Sequence, residues 1–188
     1  NIVYHRRDLR TLDNKALEVA GEEAVPVYIF DPDEWSHDLS LDARKKFVLE
    51  SLKDLNRQYI KLGTELTLFH GDPIEILSDL KSEEHKIIFN KDANHFFQEK
   101  ERKLREKYSP VNGSAVISRE DGRPEKWANN AKHWFESEKY SRPESIKKNN
   151  LEENTSIEEI QEKYGIRPEK DSFGKGGSFE ARKRLENF

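Results

Sequence analysis

The sequence predicts an α/β domain: a doubly wound, five-stranded parallel sheet with helices on both faces. Three observations carry that expectation. Short β-branched and aromatic runs alternate with stretches of helical periodicity from the first residues to about residue 120. The intervals are long enough for crossover connections, and right-handed crossovers leave neighbouring strands parallel. The opening run, Ile2-Val-Tyr4, stops abruptly at His5-Arg-Arg-Asp-Leu-Arg10, as expected of a buried strand whose carboxyl end opens into a cleft.

Taken in order, Asp13 is expected to cap a first helix that Gly21 ends, since Gly accepts the left-handed conformation. Val25 to Phe30 is the second strand. From Asp42 to Leu62 the apolar residues Val48, Leu52, Leu55, Tyr59 and Leu62 recur at four-three spacing with Gly63 just beyond, which predicts one long amphipathic helix. Leu66 to Phe69 is the third strand. Gly71-Asp72-Pro73 supplies a turn, an N-cap and a first-turn proline for a helix that turns Ile74, Leu77 and Leu80 inward. Lys86 to Phe89 is the fourth strand, a charged helix opens at Asn94 or His95 and reaches about Tyr108, and Ser114 to Ile117 is the fifth strand.

Charged residues make up 37% of the chain and hydrophobic ones 34%, so no stretch approaches the length of a membrane span and a soluble protein is expected. With no Cys there are neither disulfides nor thiolate metal sites, which fits a reducing cytoplasm. A net charge of -4 argues against wholesale coating of nucleic acid. The absence of Met points to a chain trimmed relative to its gene product. Neither a Gly-x-Gly-x-x-Gly fingerprint nor a P-loop follows any strand, which sets aside dinucleotide dehydrogenases and P-loop enzymes. His5 has no Ser, Cys or metal-ligand cluster beside it, so a general-base role is not assigned.

Composition changes near residue 140. We read residues 1–140 as the α/β domain and 141–175 as a polar linker with one short helix at Ile157 to Tyr164. In 176–188, Gly176-Gly177 breaks the chain, Ser178 caps a new helix, and Ala181, Leu185 and Phe188 share an apolar face that nothing in the chain covers. That face is expected to open a further domain.

Arg7-Asp-Leu-Arg10 followed by Asp13-Asn14 and Leu17 resembles the opening signature of the DNA photolyase and cryptochrome family, and Val25-Pro-Val-Tyr-Ile-Phe-Asp-Pro-Asp33 resembles its second strand. Further resemblances follow in family order at Ala43 to Leu55, Gly71-Asp-Pro73, Asn90-Lys-Asp92, Asp121-Gly-Arg-Pro124, Trp127 and Lys132-x-Trp134. Gly176-Gly177 with Ala181, Arg184, Leu185 and Phe188 resembles the start of the family's helical domain. The resemblance implies a Rossmann-like amino-terminal domain holding an antenna chromophore, a deazaflavin, flavin nucleotide or folate, that passes excitation energy to FAD in a helical domain in cis. It implies a cytoplasmic parent that splits cyclobutane pyrimidine dimers in UV-damaged DNA, a deoxyribodipyrimidine photo-lyase without membrane partners. The family's FAD and dimer-binding residues would follow Phe188, so no catalytic or metal-binding residue is named and the piece alone is expected not to catalyse repair.

For the chromophore, the candidates are polar residues at strand ends on one crevice: Arg7 and Asp8 after strand one, Asp31 and Asp33 after strand two, Asn90, Asp92 and Asn94 after strand four, with His37 and Lys46 in reach. Arg or Lys would meet a phosphate or polyglutamate, and Asp or Asn the edge of a ring. The alternatives are that Asp8 and Arg10 only hold the turn, that His37 is a surface histidine, and that Phe47, Phe96 and Phe97 are packing residues. Trp127 and Trp134 read as connector packing. Folate-binding relatives carry Glu where Asn94 stands, so deazaflavin or flavin nucleotide fits at least as well as folate, and the family's His-Asp-His-Leu-Leu-like segment has no counterpart between Ser114 and Asp121. The other functions weighed are a cryptochrome photoreceptor with this same domain and a free-standing flavin- or nucleotide-binding module.

Overall fold

A computed structural model describes residues 1–37, 41–81, 85–92, 98–113, 127–167 and 174–187. The strands are β1 (Ile2–His5), β2 (Val25–Phe30), β3 (Thr67–His70), β4 (Ile87–Asn90) and β5 (Ser109–Val111). The helices are α1 (Lys15–Ala20), α2 (Pro32–Trp35), α3 (Asp42–Leu62), α4 (Pro73–Leu80), α5 (Gln98–Lys107), α6 (Trp127–Glu136), α7 (Ile157–Lys163) and α8 (Ser178–Glu186). All strand pairs are parallel and the sheet order is β3-β2-β1-β4-β5. The chain therefore winds outward from β1 to β3, then crosses back to β4 and winds the other way. Strand order reverses between β1 and β4, where carboxyl strand ends leave a crevice.

Alternation along the strands sorts the core into two layers. Val3, Tyr28, Phe30, Leu68 and Ile88 join Leu17 of α1 and Leu52, Leu55 and Tyr59 of α3 on one face. Tyr4, Val27, Ile29, Phe69 and Phe89 join Leu77 of α4 and Leu104 of α5 on the other. The period of two along each strand is what lets one short run feed both layers. Helix α3 follows the expected repeat, and Gly63 ends it at φ 100°, a conformation that costs other residues strain. Asp72 caps α4 through the amides of Ile74 at 2.7 Å and Glu75 at 3.2 Å.

Several boundaries differ from the sequence reading. Asp13 does not cap α1: it sits at φ 52°, whereas Asn14 is extended and its Oδ1 accepts from the amides of Ala16 and Leu17. An N-cap needs the extended conformation, so the neighbour takes the role. Strands β3 and β4 each lie one residue later than expected. The fifth strand described is Ser109–Val111, paired to β4 with Pro110 opposite Phe89; the expected Ser114 to Ile117 lies outside the described residues. Proline is tolerated in an edge strand and masks its strand character in a sequence. The expected helix opening at Asn94 or His95 also lies outside them.

The stretch from Ile146 to Ile166 is bound to the sheet. Ile146, Ile157, Ile160 and Ile166 are buried in the α3-side layer. Ile146 N–H donates to the Leu62 carbonyl at 2.6 Å, and Asn154 Oδ1 accepts from His70 N–H at 2.7 Å. Asn149 Nδ2 donates to the Glu65 carbonyl at 3.0 Å. On edge strand β3, Asn154 thus engages His70 N–H and the Leu68 carbonyl, while Asn149 holds the chain just before the strand, so a strap of asparagines lies along this edge.

Helix α8 packs on α3. Gly177, not Ser178, is its N-cap residue, at φ 111°, and a Cβ there would meet Asp54 Cβ at 2.8 Å. Asp54 of α3 supplies the cap: its Oδ2 accepts from Phe179 N–H at 3.3 Å and from the Ser178 hydroxyl at 3.2 Å. Phe179 and Leu185 remain largely exposed, and Phe188 lies outside the described residues.

Candidate functional site

The carboxyl end of β1 is fixed by a buried polar knot. His5 is fully buried; its Nδ1–H donates to the Asp8 carbonyl at 3.2 Å, which leaves Nε2 to accept from the Tyr59 hydroxyl at 2.5 Å. Asp8 Oδ1 accepts from Arg6 N–H at 3.0 Å, and Asn90 Nδ2 donates to Asp8 Oδ2 at 2.5 Å and to Asn14 Oδ1 at 2.8 Å. Burial lowers the His5 pKa, so the ring is neutral at neutral pH. Burial alone would raise the Asp8 carboxyl, yet neighbouring His5 and bonds from the Arg6 amide and Asn90 outweigh it and hold Asp8 below the usual carboxylate range. The knot ties β1, β4, α1 and α3 together and turns Arg7 and Arg10 toward the sheet rim.

Among the described residues, three cavities meet there. The largest of these three, about 440 Å³, lies between the carboxyl ends of β1 and β2, the first half of α3 and the start of α8. Tyr28, Ile29, Phe47 and Val48 give it an apolar wall, and Arg7, Arg10, Glu34 and Arg44 a charged mouth. Glu34 Oε1 accepts from Arg7 Nη2 at 2.8 Å and from Arg44 Nη2 at 3.1 Å, while Arg7 Nη1 donates to Asp92. A polar pocket of about 130 Å³ adjoins it at the β1/β4 switch point, lined by Arg7, Asp8, Arg10, Asn90 and Asp92. A third, about 50 Å³, lies beside Asp31 and Lys100. A separate groove of about 480 Å³ runs along β3 and the asparagine strap, away from the strand ends, with Glu65, Glu152 and Glu153 in its lining.

The structure brings Arg7, Asp8, Asn90 and Asp92 around one small pocket and places Arg7 in all three rim cavities. Asp8 and Asn90 lie inside the fold, bonded to each other, with little surface to offer. Asp31 faces the smallest cavity, where its Oδ2 accepts from Lys100 Nζ at 2.6 Å. Burial raises the Asp31 pKa against the pull of Lys100. His37 is exposed just past α2, and Lys46 is half-buried on α3. Asn94, with Phe96 and Phe97, lies outside the described residues. Phe47, read as a packing residue, is 43% exposed and forms cavity wall. Trp134 is half-buried and meets Phe135 edge-on at 5.2 Å. Glu34, Arg44 and Tyr28 were not singled out from the sequence; only their adjacency after folding marks them.

Among the described residues no group of three or more His, Cys, Asp or Glu could hold a metal ion, and no helix is long and apolar enough to cross a membrane.

A parallel sheet with a switch point and a ring-sized rim cavity defines a doubly wound α/β domain of the kind that receives ligands at its carboxyl strand ends. Comparison with known proteins makes the class specific. The family model described as DNA photolyase matches residues 1–122, well over half of the chain. The chain belongs to the DNA photolyase family. It is 31% identical over 151 residues to the (6-4)DNA photolyase of Arabidopsis thaliana, covering 66% of this chain and 27% of that protein. It is 34% identical over 114 residues to cryptochrome-1 of Anopheles gambiae, covering 54% and 21%. The chain is thus matched to roughly a quarter of the length of these relatives. Among solved structures, the archaeal photolyase from Sulfolobus tokodaii, described with two FAD molecules and a novel light-harvesting cofactor, superposes with a TM-score of 0.74 at 21% identity, covering 98% of this chain and 45% of that one. The cryptochrome of Synechocystis sp. PCC6803 gives 0.75 at 17% identity, covering 100% and 45%. At those identities the structural likeness speaks for the fold.

Proposed function

We propose that this chain is the antenna domain of a light-dependent DNA repair photolyase. Its rim cavity takes a chromophore of deazaflavin, flavin nucleotide or folate type. When bound, the chromophore absorbs near-ultraviolet or blue light and passes the excitation to FAD in a helical domain elsewhere in the same cytoplasmic protein. That FAD would then split a cyclobutane pyrimidine dimer in UV-damaged DNA. No residue of this chain is given a catalytic part.

The observation that carries the reading is the cavity of about 440 Å³, at the carboxyl strand ends of a photolyase-family domain, with aromatic and aliphatic walls and arginines at its mouth. Its volume lies within the range of small-molecule pockets, roughly 300–1,000 Å³. Tyr28, Ile29, Phe47 and Val48 suit a planar ring, while Arg7 and Arg44 suit an oxyanion. The archaeal photolyase carrying two FAD molecules supports a flavin in particular. The boundaries proposed are 1–140 for the antenna domain, 141–175 for the connection and 176–188 for the start of the helical domain, with Asp54 holding the first turn of α8 against α3. A cryptochrome reading of the same domain is favoured by the 34% identity to the Anopheles protein.

Reconstitution tests the proposal. The purified chain is incubated in turn with deazaflavin, flavin mononucleotide and methenyltetrahydrofolate, then passed over a sizing column. One of them should co-elute at one per chain; elution of all three without the protein would refute the antenna reading.

A further inference from the structure

Glu34 is an acidic residue of the cavity that chromophore binding leaves without a part. Its Oε1 sits between two guanidiniums from separate elements, accepting from Arg7 at the β1 exit at 2.8 Å and from Arg44 on α3 at 3.1 Å. Both arginines line the mouth of the cavity walled by Tyr28 and Phe47. A cavity for an uncharged ring has no need of two guanidiniums converging on one point of its rim. Each is a planar fork matched to carboxylate or phosphate oxygens. Arg44 is 51% exposed and Glu34 32%, so the carboxylate is held by solvated pairs of small net strength and solution has access to it. The second carboxylate on Arg7, Asp92, uses the other arm of that guanidinium, so departure of Glu34 would not release Arg7.

We propose that Glu34 is a built-in stand-in for the anionic group of the ligand. Arg7 and Arg44 form a phosphate subsite at the mouth of the cavity, Glu34 occupies it in the free protein, and a bound ligand's phosphate displaces the Glu34 carboxylate into water. The preferred ligand is accordingly a flavin-type ring carrying a phosphate, selected over the same ring without one. This rests on the antenna reading above and adds the chemical class of the chromophore and the residue that sets it. The exchange is purely ionic, and no covalent bond is made or broken.

Fluorescence titration with flavin mononucleotide and with riboflavin, which differ by the phosphate alone, tests the assignment. The unchanged protein should bind the phosphorylated ring more tightly. Glu34→Gln removes both the competitor and its repulsion of the phosphate, and should tighten the mononucleotide roughly three- to tenfold while leaving riboflavin within about twofold. Arg44→Gln should erase the preference for the mononucleotide. If both flavins bind the unchanged protein equally, or if Glu34→Gln leaves their affinity ratio where it was, Glu34 is no stand-in, although the cavity remains a flavin site. If neither flavin binds either protein, the chromophore reading in its flavin form falls and this inference falls with it.

Discussion

Replacing Tyr59 by Phe removes one oxygen from a site where volume, ring position and helix propensity are otherwise kept. Tyr59 and His5 are both fully buried, their rings meet edge-on at 5.6 Å, and the hydroxyl donates to His5 Nε2 at 2.5 Å. Because His5 Nδ1–H is engaged by the Asp8 carbonyl, Nε2 is the lone-pair nitrogen, and Tyr59→Phe leaves it buried without a donor. An orphaned buried polar group costs about 1–3 kcal/mol, and no cavity term is added since the ring remains. We therefore expect a loss of about 1–3 kcal/mol in urea-induced unfolding, with an unchanged denaturant slope. Hydrogen exchange should locate the damage: the amides of Arg6, held by Asp8 Oδ1, and Arg10, held by the Asp8 carbonyl, should exchange faster than those of β3. A loss below about 0.5 kcal/mol, with exchange at Arg6 and Arg10 unaltered, would refute the claim that this knot fixes the segment presenting Arg7.

Three further outcomes follow from the same contacts. Burial holds the His5 pKa below its ordinary value of 6.5, so stability is complete above that pH and is lost as pH falls, because the unfolded chain takes the proton first; the loss reaches at most about 1.4 kcal/mol per pH unit, checked by urea midpoints from pH 7.5 to 5. His70, also lowered by burial, adds in the same direction, whereas Asp8 enters only below its ordinary value of 3.8. Asp54→Ala removes the acceptor for Phe179 N–H and should cost about 0.5–2 kcal/mol, with faster exchange confined to the start of α8. Arg7→Ala should weaken binding of flavin mononucleotide by roughly tenfold, as expected for loss of a charge-assisted contact, and unchanged affinity would move the site elsewhere on the rim.

Much of the fold was legible because burial imposes period. The four-three spacing from Val48 to Leu62 marks one helix face, whereas Ile2-Val-Tyr4 followed by charge fits both a buried strand at a rim and a strand running into a basic surface turn, and family resemblance tips it to the rim. Caps were less legible: Asp13 and Asn14 are chemically equivalent as cap residues, and only the left-handed backbone at Asp13 decides between them. Ile146, Ile157, Ile160 and Ile166 stand among polar neighbours with no period of their own, so nothing local foretold that they would close the α3-side layer. In the site, Arg7 was found from its place after β1 and from family resemblance. Glu34 and Arg44 were not, since in a chain 37% charged two such helix residues look like solvated surface until tertiary approach pairs them. Asp8 and Asn90 show the converse: polar residues at strand ends read as rim, yet they lie inside the fold, where Asn90 Nδ2 donates to Asp8 Oδ2.

Where the ligand sits can be measured residue by residue. With backbone amides assigned by NMR, titration of flavin mononucleotide should shift Tyr28, Ile29, Phe47 and Val48 together with the Arg7 and Arg44 side-chain signals, and leave the β3 groove at Thr67 and Asn149 still. Shifts gathered along that groove, with the rim silent, would contradict the placement of the chromophore at the carboxyl ends of β1 and β2.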